Sequence, residues 1–174
     1  MITAENTLNV EDAMTFFKFN LYKRNKKATL IGLITASLAG IFMVGFGFFV
    51  GRISFMIEGI VVAILLPLLF YKWNERKLRK VIKKNRGIQS GDTQYYRFED
   101  EGFIRTNDNE DFPERIEMEW EDLHEVCETK NYFYFYVRAN TGFFIHHDNF
   151  NVSDIEEVRK FLKERVGDRY RAVL

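Results

Sequence analysis

The chain has 174 residues, 25 basic and 25 acidic side chains and a single cysteine, so its formal net charge is zero and it can form no internal disulfide. The zero is a cancellation: residues 1–86 hold 14 basic and 5 acidic side chains, whereas residues 87–174 hold 11 basic and 20 acidic ones. With its apolar residues gathered between Ala28 and Tyr71, this composition excludes an ordinary soluble single domain and a disulfide-stapled secreted one.

Residues 1–27 read as an N-terminal cytoplasmic segment. Residues 2–8 are too short and polar to stand alone, though they could add an edge strand. Asn9 followed by Glu11 and Asp12 marks a helix start, with the carboxylates complementing the positive end of the helix dipole. Val10, Ala13, Met14, Phe17 and Leu21 then form one apolar stripe, broadened by Phe16 and Phe19. Lys18, Lys23 and Arg24 suit a helix at the headgroup level, while the same stripe would equally pack on the downstream domain.

Residues 28–71 predict a transmembrane helical hairpin with spans at 28–50 and 53–71, since roughly 20 apolar residues cross a hydrocarbon core about 30 Å thick. Small residues at Gly32, Ala36 and Gly40 in the first span, and at Gly59 and Ala63 in the second, predict close helix approach, within the hairpin or between copies of it. Glu58 is the sole ionisable residue inside a span and therefore a candidate intramembrane functional group. It also lies near enough to the outer surface to snorkel or approach Arg52. Lys23, Arg24, Lys26 and Lys27 before the hairpin, and the cations after it, predict that both termini face the cytoplasm of a multi-pass inner-membrane protein.

Residues 72–86 continue the second span as a basic juxtamembrane stalk ending at Gly87. Arg76, Lys77, Arg79, Lys80, Lys83 and Lys84 are candidates for contact with anionic lipid. Nucleic acid is not the expected partner, because the stretch lacks interleaved aromatics and abuts the membrane.

Residues 87–174 predict a cytoplasmic domain. Alternation of Ile116, Met118 and Trp120 with Arg115, Glu117 and Glu119, and of Phe133, Phe135 and Val137 with the neighbouring tyrosines, is the period of a half-buried sheet. Turn residues divide the region into strands near 94–99, 102–106, 114–120, 123–129, 132–138 and 142–147, an antiparallel meander. Ser153 with Glu156 suggests a capping box, and Ile155, Val158, Leu162 and Val166 a closing helix. The expected fold class is thus an α+β membrane protein: a two-helix hairpin plus a pleckstrin-homology (PH)-like antiparallel half-barrel with a C-terminal helix.

Trp120-Glu121-Asp122-Leu123, Val126, Glu128-Thr129, Tyr132-Phe133, Phe135-Tyr136, Phe144-Ile145 and Phe150, preceded by Thr7-Leu8-Asn9-Val10-Glu11-Asp12 and two spans, resemble the YcxB-like family. That resemblance implies a bacterial integral membrane protein with a cytoplasmic PH-like domain. His146 and His147 stand where the family often has Pro and a basic residue.

No arrangement of nucleophile, base and orienting group is legible, and no Gly-rich phosphate loop precedes a helix, so a non-enzymatic protein without cofactor or metal is expected. His146 and His147 are adjacent in a strand and point to opposite faces, which argues against a shared metal site. The acidic domain disfavours phosphorylated lipid heads and favours a basic protein surface. Tyr132, Tyr134, Tyr136 and Arg138 form the expected contact face unless the terminal helix covers it. The leading functional expectation is a membrane-anchored interaction or sensing module with a protein partner. The alternative is a small transporter or channel subunit that oligomerises around Glu58.

Overall fold

The computed structural model describes the chain except residues 25, 85–87, 89–90, 112, 140 and 174 and the side chains of residues 28 and 36. Two compact units emerge: one joins Met1–Phe16 to Asn85–Leu174, and the other is Phe17–Lys84. The predicted end of the stalk at Gly87 and part of the ridge at Ala36 lie outside the described residues.

The first unit is built on two four-stranded sheets. One has the order β1 (Ile2–Thr7), β2 (Thr93–Phe98), β3 (Gly102–Asn107), β4 (Arg115–Glu119). The other has the order β7 (Thr141–His146), β6 (Tyr132–Arg138), β5 (Glu125–Glu128), β8 (Tyr170–Ala172). Periodicity anticipated β2 to β7 as one meander and missed both the break between sheets and β8. A three-residue strand has no period of its own, and β8 exists because it adds in parallel to β5, Val126 opposite Tyr170.

Polar though it is, the N-terminal strand completes a sheet. β1 pairs antiparallel with β2 along its whole length, from Ile2 opposite Phe98 to Thr7 opposite Thr93, and bridges to the other sheet through Ala4 and Phe150. Asn6, fully buried, donates from Nδ2 to the Phe144 carbonyl (2.9 Å) and accepts at Oδ1 from Asn149 (2.9 Å), so its amide is satisfied on both sides.

The core between the sheets is aromatic. Phe133 and Phe135, on one side of β6, are fully buried, and Phe135 stacks on Phe143 at 4.8 Å. Trp120 lies beside Phe98 (6.0 Å), meets Phe161 edge-on, and donates its indole N–H to the Glu99 carbonyl at 3.0 Å. Helix α4 (Ile155–Val166) lays Val158, Leu162 and Val166 on this core. Its N-cap is Asp154, accepting from the Glu156 N–H at 2.9 Å, not the expected Ser153, and Gly167 ends it at φ 59°. Helix α1 (Val10–Lys18) has the expected cap: Asn9 Oδ1 accepts from the Asp12 N–H at 2.8 Å.

The second unit is helical. After a π-helical stretch (Phe19–Arg24) come α2 (Lys26–Val50) and α3 (Ile53–Ile82), the latter unbroken through Pro67. Between them Gly51 takes φ 69°, with its N–H to the Phe48 carbonyl and the Arg52 N–H to the Gly47 carbonyl (2.9 Å), a Schellman termination that only glycine adopts without strain. The small residues do bring the two helices together: a Cβ on Gly40 would lie 2.4 Å from the Ala63 backbone nitrogen and 2.5 Å from the Gly59 oxygen. Both helices are long and apolar enough to cross a membrane. Only 12% and 6% of their most apolar windows are buried, so neither is a buried core helix within this chain.

Candidate functional site

Tyr134 and Tyr136, expected on an open face, are buried at 1% and 0% exposure; Tyr132 is half-buried and Arg138 exposed. The cover is α1, not the terminal helix. The Phe16 ring sits 5.4 Å from Tyr134, 5.7 Å from Tyr136 and 5.6 Å from Phe144, and the Tyr132 hydroxyl donates to Asp12 Oδ1 at 2.6 Å. Phe16, rather than Phe17 of the primary stripe, is the anchor on this face. Burial raises the Tyr134 phenol to about 12, and burial together with the bond to Asp12 raises that of Tyr132. Both hydroxyls therefore stay protonated at neutral pH, that of Tyr132 as the donor to Asp12.

Sequence reasoning missed a buried ionic cluster where β5, α4 and β8 meet. Glu128, 2% exposed, accepts from Arg159 Nε at 2.8 and 2.9 Å and from the Tyr170 hydroxyl, while Arg159 also pairs with Glu156. Burial pushes the Glu128 carboxyl up, but the hydrogen bonds from Arg159 and Tyr170 outweigh it and hold the group below its ordinary value. Burial also lowers the pKa of His147, whose ring lies 4.6 Å from Phe133, so this imidazole is neutral. One signal was available. Arg159 stands on the apolar stripe of its helix and Glu128 shares the strand face of Val126, so each is a charge where an apolar residue belongs.

At one end of the sandwich a cavity of about 310 Å³ opens between β3–β4 and the β6–β7 turn, lined by Phe103, Ile116, Met118, Val137 and Phe143 with Arg105 and Arg138 at its rim. Arg105 is tied to Glu114 at 2.9 Å. The remaining sequence candidates are dispersed. Cys127 is buried and donates to Glu125 Oε1, and His146 accepts from the Asp148 N–H; no metal-ligating cluster occurs among the described residues.

In the helical unit Glu58 is exposed on α3 and makes no ion pair with Arg52 among the described residues. Of the stalk cations, Arg79 bonds Glu75, which also pairs with Lys18, and Lys77 lies over the Trp73 ring at 5.1 Å. Leu69, Phe70 and Trp73 line a groove with Arg76, Lys77, Arg79 and Lys80, apolar toward the hairpin and cationic toward its far end.

A two-sheet α+β unit, closed by a helix and carrying an apolar helical hairpin between its first two strands, defines the class. Within it, residues 98–162, from the end of β2 to Leu162 of α4, match the model of the YcxB-like protein family. No curated protein and no solved structure matches the chain.

Proposed function

We propose that this chain is a non-enzymatic membrane protein whose hairpin anchors a PH-like interaction or sensing module at the cytoplasmic face of the inner membrane. The observation that carries the reading is the pairing of β1 with β2 across the hairpin. Thr7 and Thr93 are opposed though 86 positions apart, and the two exposed apolar helices lie in the chain between them. An anchor inserted between two hydrogen-bonded strands must leave and re-enter the membrane on the same side, which needs an even number of spans. The excess of Lys and Arg flanking the hairpin makes that side the cytoplasm.

The PH-like reading is supported by β1–β4 and β5–β7 forming two packed sheets with α4 laid against the core between them. The non-enzymatic reading is supported by the chemistry of the buried charges: Glu128, Arg159 and Tyr170 satisfy one another, which suits a structural cluster better than a reactive one. A partner protein and association between copies belong to the same proposal.

The test is topology in intact cells. Single cysteines at Thr3 and Val173 should be shielded from an impermeant thiol reagent and one at Gly51 labelled, with the protein retained in membranes after alkaline extraction. Labelling at Thr3 or Val173, or release into the soluble fraction, would refute the anchor.

A further inference from the structure

The free edge of β4 holds unspent hydrogen-bonding capacity. β4 opposes β3 with Phe103 facing Met118, Ile104 facing Glu117 and Arg105 facing Ile116, and it has no second strand neighbour among the described residues. Bonds from the Asn107 N–H to the Glu114 carbonyl (3.3 Å) and from the Trp120 N–H to the Glu101 carbonyl (3.2 Å) set the phase of the ladder. In an antiparallel pair the bonded positions alternate, so Ile116 and Met118 bond inward, and the N–H and C=O groups of Arg115, Glu117 and Glu119 point outward. The Glu119 N–H is met by Asp122 Oδ2 at 3.3 Å; the outward Arg115 and Glu117 groups meet no backbone partner among the described residues.

Charge selects what can use this edge. Residues 114–122 hold five acidic side chains and one basic, Arg115, whose guanidinium is spent on Glu117 (2.9 and 2.5 Å). Such an edge repels a second copy of itself and any acidic strand, which guards against edge-to-edge aggregation, yet it attracts a cationic segment. Arg115, Glu117 and Glu119 are exposed on the outer face, whereas Ile116 and Met118 turn to the opposite side and line the 310 Å³ cavity.

We infer that the β4 edge binds an extended basic segment of a partner protein by strand addition. Alternate side chains of that segment divide between the two faces: Lys or Arg against Glu117 and Glu119, aliphatic residues at the cavity mouth. A two-residue period makes this division automatic. The inference rests on the reading of the sheet unit as an interaction module and supplies its docking site and the chemistry of its partner.

The test uses the full chain in nanodiscs of neutral lipid and a nine-residue peptide of alternating Lys and Leu. Matched probes are an alternating Glu and Leu peptide and a Lys and Leu peptide reordered to helical period. The alternating basic peptide should bind, weaken by at least about tenfold in the Glu117→Lys, Glu119→Lys double variant, and slow hydrogen exchange at the Arg115 and Glu117 amides. Glu117→Pro, which removes an outward N–H that β3 does not use, should weaken binding with the melting temperature little changed. Equal binding of the acidic peptide, or binding without protection of those amides, would overturn the inference. If the topology test succeeds while these amides stay unprotected, the anchored module survives and only the β4 site falls.

Discussion

Glu128 is a buried carboxylate whose cost is offset by one guanidinium and one phenol. Removing Arg159 strands the buried Glu128 carboxylate, so Arg159→Met is expected to destabilise the sheet unit by about 3 kcal/mol, and Glu128→Gln by less, because the partly exposed Arg159 keeps its pair with Glu156. The pH dependence follows from the lowered carboxyl. Its stabilisation is complete above the ordinary glutamate pKa of about 4.3 and is lost as pH falls through the depressed folded value. Urea midpoints measured from pH 7 to 3 should fall on the acid side in the parent and less steeply in Glu128→Gln. His147 adds a loss in the same direction beginning higher, near the ordinary histidine value of about 6.5, because the unfolded chain takes up the proton that the folded imidazole resists.

At the scale of elements, α1 and the hairpin make separable predictions. Phe16 holds α1 on the tyrosine face. Phe16→Asp is expected to release the helix, making Tyr134 and Tyr136 reactive toward a tyrosine-selective reagent, whereas Phe17→Asp leaves them protected. In the hairpin, Gly40→Leu would drive a side chain into the backbone of Gly59 and Ala63, while the space around Gly45 is open. Melting in detergent should show Gly40→Leu destabilised by about 1–3 kcal/mol or more and Gly45→Leu near parent. The amphipathic stripe of α1 was legible in the sequence, but its partner was not. A helical period identifies an apolar face and says nothing of whether lipid or protein covers it.

For the molecule as a whole, β1 makes the sheet unit discontinuous in sequence: the strand that begins it and the strand that follows it are separated by everything that forms the hairpin. Replacing residues 17–91 by a flexible Gly-Ser linker is therefore expected to yield a water-soluble unit with its two sheets intact, read by far-UV circular dichroism and a cooperative melt. Aggregation of that variant would show that the sheet unit needs the hairpin to fold.

The sequence by itself determined the two membrane-length helices, the strands β2 to β7 and the closing helix. Each of these is written in a local signal: a run of apolar residues or a period of two or 3.6. Only the tertiary structure decided that the strands divide between two sheets, that the polar N-terminal residues complete one of them, that α1 covers the tyrosines, and that Glu128 meets Arg159. Those features depend on contacts between residues tens of positions apart, and a periodicity that specifies which face is buried carries no information about which distant surface buries it.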